Sequence, residues 1–228
     1  MVSVALIGAD GAGKSSLARA LAASTELPIQ VLYMGANSSA NGHALPTTRA
    51  VRALERALGR ARAEGGPPDP TRRQARPARG LARAARTART WLALANRLCE
   101  EAHRTALARR LERRGFLVVL DRLFLADYWA HDVVGADRTR AQRLHGRFLR
   151  RLPQPDCTIL LDAPAEVLFA RKAEGRLEWV ARRRQEYLEL LPALRDCRVV
   201  DATRPAAEVR AEVLDILRRL WRGEGAAR

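Results

Sequence analysis

"GADGAGKSS", residues 8–16, lies between a short apolar run and a helical pattern. Gly8, Gly13, Lys14 and Ser15 satisfy the spacing G-x-x-x-x-G-K-[S/T]. The chemistry behind that spacing is specific. Glycines let backbone N–H groups converge on phosphate oxygens, and the helix that follows turns its positive end toward them. Lys14 would reach the β- and γ-phosphates, and the Ser15 hydroxyl would hold Mg²⁺. Gly8, Asp10, Gly11, Ala12, Gly13, Lys14, Ser15 and Ser16 are therefore the expected binding loop for a nucleoside triphosphate with Mg²⁺. A dinucleotide fold is the rival reading, because "GAGKSS" contains G-x-G. That fold wants an acid at the end of the second strand for the ribose, and "IQVLYMGAN" ends without one.

Outward from the loop, Val2–Ile7 reads as a buried strand and Lys14–Ala23 as a helix. Ile29–Met34 is a second buried strand, opened by Pro28 and closed by Gly35, and "GANSSANGHALPTT" is a loop by composition. Residues 49–60 can form a short helix. The stretch 63–80, "AEGGPPDPTRRQARPARG", should be a mobile excursion. A long amphipathic helix is expected over Leu81–Arg114, with Leu81, Ala85, Ala88, Leu92, Ala95, Cys99 and Ala102 near helical spacing and Gly115 as its stop. The arginines of this helix are expected on its wet face. "FLVVLD" (116–121), "CTILLD" (157–162) and "CRVVDA" (197–202) are further strands. Helices are expected at 123–134, 138–151, Pro164–Lys172, Leu177–Leu191 and from Pro205 onward, with a tail after Trp221 that frays.

Apolar strands alternating with helices predict a parallel sheet covered on both faces. The expected fold is α/β: a three-layer P-loop NTPase fold with five parallel strands and helices on both faces. It would form one domain over 1–228, with a flexible insertion at about 36–80. Ligands of such sheets bind at the carboxyl ends of the strands. Gly8–Ser15, Asp121–Arg122 and Asp162 all fall there.

The chain has 41 basic and 25 acidic residues, a net +16, and only Lys14 and Lys172 are lysines. So strong an arginine bias makes the charge weak evidence of a partner. No basic motif interleaved with aromatics appears, and nucleic acid is not expected as a partner. Cys99, Cys157 and Cys197 have neither metal spacing nor an even framework, as in a reduced, cytoplasmic chain. No apolar run is long enough to span a membrane.

Asp121, at the tip of its strand, could hold a metal-bound water, orient a nucleophile, or both; the plain alternative is an acid capping the next segment. Arg122 could clamp a second anion through bidentate bonds, or be a surface arginine. His131 and Asp132 are adjacent, point about 100° apart on a helix, and do not readily pair. His131 reads equally as a pocket or a structural histidine. For His43, His103 and His145, which have no partner at ligand spacing, structural or solvated roles are expected.

These stretches resemble the thymidylate kinase family of P-loop kinases. "GADGAGKSS" matches the form G-x-D-G-A-G-K-S/T, including Asp10, and "VVLDR" matches the strand ending in Asp-Arg. "ILLDAPAEVLFARKAEGRLEWVARRRQEYLEL" looks like the strand, helix, arginine-bearing lid and tyrosine-containing helix of that family. The resemblance covers about 1–35 and 91–221. It implies Mg-ATP-dependent transfer of a phosphoryl group to a nucleoside monophosphate, dTMP first, in a protein that is commonly a homodimer. Asp10 would face the acceptor sugar, and Lys14 and Ser15 would serve the donor. Asp121 would support Mg²⁺ and acceptor, and Arg122 would bind the acceptor phosphate. Arg171 and Arg176 would close over the ATP phosphates, and Arg97 would assist at the acceptor.

Departures from the family touch the acceptor side. "MGANSSANGHALPTTR" replaces a Thr-Arg-Glu-Pro stretch, with Arg49 a stand-in. "DRLFLADYWAHD" has Ala126 at a serine position and lacks the Ala-Tyr-Gln run; Tyr128, Trp129 and His131 could still line a ring pocket. A P-loop kinase for another small metabolite, a sugar or modified nucleotide, is the second reading. An NTP-dependent binding or regulatory module, basic enough to touch nucleic acid, is the third.

Overall fold

Five parallel strands form a single sheet: β1 (Val2–Ile7), β2 (Ile29–Tyr33), β3 (Leu117–Asp121), β4 (Cys157–Asp162) and β5 (Cys197–Asp201), in the order β2-β3-β1-β4-β5. The computed structural model describes residues 2–35, 45, 48, 80–172 and 176–224. The helix expected at 49–60, nearly all of the excursion at 63–80, Arg49 and the lid loop at 173–175 lie outside them.

Strands shielded on both faces need apolar side chains in succession rather than alternation. Val4–Ile7, Leu117–Leu120 and Cys157–Leu161 are buried without interruption. The edge strand β5 differs, burying only Val200. The chain runs from β1 out to β2 and back to β3 on one side, then crosses to β4 and β5 on the other, which makes the tip of β1 a switch point of the sheet. The register pairs Leu6 of β1 with Asp121 of β3, so the β3 acid stands beside the loop that leaves β1.

The helices are α1 (Lys14–Ala22), α2 (Leu81–Arg113), α3 (Phe124–Tyr128), α4 (Arg140–Arg151), α5 (Ala165–Lys172), α6 (Leu177–Leu190) and α7 (Ala206–Trp221). On one side α1 and α7 pack together and against the sheet; elsewhere α2 rests on β1 and β3 and against α4. Burial of Val209, Val213, Leu214 and Leu217 fixes the inner face of α7. A capping box closes the start of α4, Thr139 and Gln142 satisfying each other's backbone N–H.

Two expectations are corrected. Residues 123–134 are not one α-helix: after Tyr128 the chain widens into a π-helical turn, Trp129–Val133. Such turns are frequent at functional sites. In α2 the apolar spacing marks the wrong face. Ala85, Ala88, Leu92, Ala95, Cys99 and Ala102 are exposed, and Leu94, Glu100, Glu101, Arg104 and Ala108 are buried. Arg104 thus leaves the wet face where the pattern puts it. It is buried because Nε and Nη2 donate to Glu100 Oε1 at 3.0 and 2.8 Å and Nη1 donates to the carbonyl of Gly35 at 2.9 Å. Paired charges occupy that inner face, and apolar periodicity is blind to them.

Candidate functional site: a phosphate loop and its arginine neighbour

The loop between β1 and α1 is built on close approach. Gly11 has φ 88°, and a Cβ there would stand 2.2 Å from the carbonyl oxygen of Leu168 in α5. Gly8 has φ 145°, and its Cβ would stand 2.5 Å from the Leu161 carbonyl oxygen. Glycine is required at both positions by conformation and by space. Lys14 opens α1 and is buried, its Nζ donating to the carbonyls of Gly8 and Ala9 at 2.7 and 2.8 Å. Burial, helped by the nearby Arg122 charge, lowers its pKa to about 8. Its ammonium thus stays within the loop it must serve.

Ser15 and Asp121, 106 residues apart, meet here: the hydroxyl donates to Asp121 Oδ2 at 2.9 Å. The other carboxylate oxygen, Oδ1, is buried and has no hydrogen-bond partner among the described residues. An ionised oxygen left unpaired in the interior is costly. A hydrated cation held by the Ser15 hydroxyl would satisfy it, so the hydroxyl–carboxylate pair fits Mg²⁺.

Arg122 follows in a left-handed conformation, φ 80°, rare for a side chain of this size. Nη2 donates to Asp10 Oδ1 at 3.0 Å, and Nη1 lies 3.8 Å from Asp127 Oδ1. Nε is buried and has no partner among the described residues. Asp127 in turn meets Nη2 of Arg183, at 3.3 Å, and Arg183 lies across the ring of Tyr187 at 4.7 Å. Asp10, Arg122, Asp127 and Arg183 therefore form a run of alternating charge from the loop lip to α6. Burial alone would raise the Asp10 carboxyl. Arg122, then Lys14 and Lys172, outweigh it and hold that carboxyl below its ordinary range. Arg122 is pulled down by burial and pushed further up by Asp127, so it stays charged.

On the other flank, Arg97 of α2 lies over the ring of Tyr128 at 4.9 Å, with Nη1 4.0 Å from Asp132 Oδ2. Tyr128 is buried, which lifts its hydroxyl to about 12. His131 is half-buried in the π-helical turn. The structure thus groups Asp10, Lys14, Ser15, Asp121 and Arg122 at the tips of β1 and β3. It pairs Arg97 with Tyr128 on the adjoining segment.

It does not bring the two lid arginines to the loop. Arg171 donates to the carbonyls of Ala202 and Thr203 at 2.7 and 3.5 Å, past the end of β5, and Arg176 is exposed ahead of α6. Asp162 is turned to structural use, gripped by Arg184 Nε and Nη2 at 2.7 and 2.8 Å. Sequence reasoning missed Asp127 and Arg183, since three consecutive arginines at 182–184 look alike in an arginine-rich chain. It also left His145 without a partner. The ring is fully buried between Asp132 and Glu101, 13 and 44 residues away. Among the described residues no helix is long and apolar enough to cross a membrane.

Comparison with known proteins agrees with this geometry. A probable thymidylate kinase 1 of Saccharolobus solfataricus is 28% identical over 109 residues, 45% of this chain and 55% of that protein. The chain thus matches little more than half the length of that relative. The profile of the AAA ATPase domain matches residues 2–136, which hold β1, the phosphate loop, α1 and the Asp121–Arg122 tip of β3. More than half of the sequence, including every element of the nucleotide loop, therefore places this chain in the AAA ATPase domain family.

Proposed function

We propose that this chain is a P-loop kinase that passes the γ-phosphoryl group of ATP to a small acceptor already bearing a phosphate, a nucleoside monophosphate with dTMP first in line. Arg122 is the observation that carries the reading. A guanidinium held in a strained backbone conformation, with a buried Nε that no described residue partners, at the lip of a phosphate loop, suits a second anion beside the first. A simple nucleotide switch has no use for it.

Mg-ATP, when bound, supplies the electrophilic phosphorus. The residues of the chain do the positioning. Gly8, Gly11 and Gly13 present backbone N–H groups to the phosphates, with Lys14 shifting from its carbonyl contacts to phosphate oxygens. Ser15 and Asp121 hold the cation. Arg122 orients the acceptor phosphate, which is an anionic nucleophile and needs no base. Asp10, which both pairs with Arg122 and borders the loop, faces the acceptor sugar. Arg97, Tyr128 and His131 flank its ring. Arg171 would serve the donor only after releasing Ala202 and Thr203, and Arg176 only on closure. The whole of 1–228 forms one domain, with an insertion at about 36–80.

The relative's name supports the dTMP assignment. The family match supports a second reading, ATP hydrolysis without an acceptor. Purified protein with Mg-ATP and a panel of nucleotide and sugar acceptors separates them. ADP release dependent on dTMP is expected. Release that no acceptor accelerates would favour the second reading, and activity only with a non-nucleotide alcohol would overturn the phosphate-acceptor assignment.

A further inference from the structure

We propose that His145, held doubly protonated between Asp132 and Glu101, is a positioning residue that fixes Arg97 and Tyr128 at the acceptor side of the site. The inference rests on the kinase reading for its functional meaning, but its geometry stands alone. His145 Nδ1 lies 2.5 Å from Asp132 Oδ2, and Nε2 lies 2.9 and 3.0 Å from the two oxygens of Glu101. A neutral imidazole has a single N–H. Its other nitrogen would then turn a lone pair on a carboxylate inside the protein. The cationic ring satisfies both acids at once.

Four elements meet at this ring. Glu101 and Arg97 come from α2, Asp132 from the π-helical turn, Tyr128 from α3 and His145 from α4. Two carboxylates and one imidazolium leave a net charge of −1, and Arg97, 4.0 Å from Asp132, brings the group to zero. Tyr128 stands edge-on to the imidazole at 4.8 Å while its face receives Arg97. The contact is built into the backbone as well. A Cβ on Gly146 would sit 2.0 Å from the Asp132 carbonyl oxygen, so only glycine lets α4 come this close to the π-helical turn. A salt bridge with no further task does not need a 44% exposed arginine at its end. That exposed head is the part of the group left to meet a ligand.

The pH sense follows. Burial lowers the affinity of His145 for its proton, but the bonds to Asp132 and Glu101 more than offset this and raise its pKa above 6.5. The stabilisation is complete below 6.5 and is lost as pH rises through the raised value. Glu101, Arg97, Asp132 and Tyr128 are the charged and titratable groups that face the ring.

The test uses the full chain and two readouts. Long-range ¹H–¹⁵N spectra of the wild type at pH 7 should show one histidine with both ring nitrogens protonated, absent in His145→Gln. The Arg97 Nε–Hε resonance, identified through Arg97→Lys, should move toward the free-arginine position in His145→Gln and Asp132→Asn. With dTMP as the probe, His145→Gln should raise KM for dTMP about tenfold while KM for ATP and kcat change by less than about threefold, the signature of weakened acceptor binding alone. A wild-type ring with one unprotonated nitrogen at pH 7 overturns the proposal, even if His145→Gln fails to fold. So does an Arg97 resonance that ignores the substitution. If wild type releases no ADP with dTMP, the dTMP assignment fails, and the resonances alone decide the positioning role.

Discussion

Arg122 offers a perturbation in which backbone and side chain can be read separately. Arg122→Ala and Arg122→Gly both delete the guanidinium together with its ion pairs to Asp10 and Asp127. They differ only by a Cβ at φ 80°. A left-handed conformation costs a residue with a Cβ about 1–2 kcal/mol. Glycine's extra freedom in the unfolded chain returns about 0.4–1 kcal/mol of that. The glycine variant should therefore be more stable than the alanine variant by about 1 kcal/mol, or roughly 2–4 °C in Tm for a chain of this size. The ion pair with Asp10, absent from both variants, is part-exposed and worth about 0.2–1 kcal/mol, and Asp127 keeps Arg183. Relief at the unpartnered Nε acts in the opposite direction. Melting curves by circular dichroism measure the pair, and ADP release with dTMP measures function. Both variants should lose acceptor-dependent turnover to the same degree. An alanine variant as stable as the glycine variant would refute the strain at this position. Full turnover in either would refute the anion clamp.

Lys14→Ala should cut acceptor-dependent ADP release by about 10²-fold or more with little change in the circular dichroism spectrum, since a preorganised clamp on the phosphates is gone. Asp121→Asn keeps the shape beside Ser15 but removes the charge. The Mg²⁺ concentration for half-maximal ADP release should rise about 10- to 100-fold in a metal titration. Gly11→Ala brings a Cβ against the Leu168 carbonyl and should lower stability by roughly 1–3 kcal/mol in urea unfolding, with nucleotide affinity falling alongside. Lys14 also sets a pH trend. Its folded pKa, about 8, is below the unfolded value of 10.5, so the unfolded chain binds more protons between them. Its contribution to stability therefore rises with pH across that window. Its charge, and with it ATP affinity measured by calorimetry, should fall over the same range, and Lys14→Met should remove both trends.

The strands were legible because each parallel strand is an unbroken apolar run, and the phosphate loop because glycine spacing and a following helix leave few alternatives. Asp121 and Arg122 were legible from their place at a strand tip. What escaped was of another kind. The inner face of α2 holds Glu100 and Arg104, which pair with each other one turn apart while Arg104 also reaches the Gly35 carbonyl, and Glu101, which meets His145, so local hydrophobicity pointed to the opposite face. The partners of His145 lie on two other elements, and no spacing rule joins them. The π-helical turn needs one residue more per turn than the helical pattern assumes, and sequence periodicity over five residues cannot register it. Arg171 is a different case: the family resemblance suggested the nucleotide, while in the fold its guanidinium is engaged by carbonyls just past β5.

The run of alternating charge from Asp10 through Arg122 and Asp127 to Arg183 has an evolutionary consequence. Asp127 is buried and Arg183 half-buried, and a buried charge stripped of its partner costs about 3–5 kcal/mol. Lineages descending from this sequence cannot drift through these positions one at a time. Loss of Asp127 should be tolerated only with loss of Arg183, and replacement of Arg122 should leave Asp10 free to vary. Asp127 and Arg183 should change together or not at all, a heritable linkage between α3 and α6, 56 residues apart in the chain.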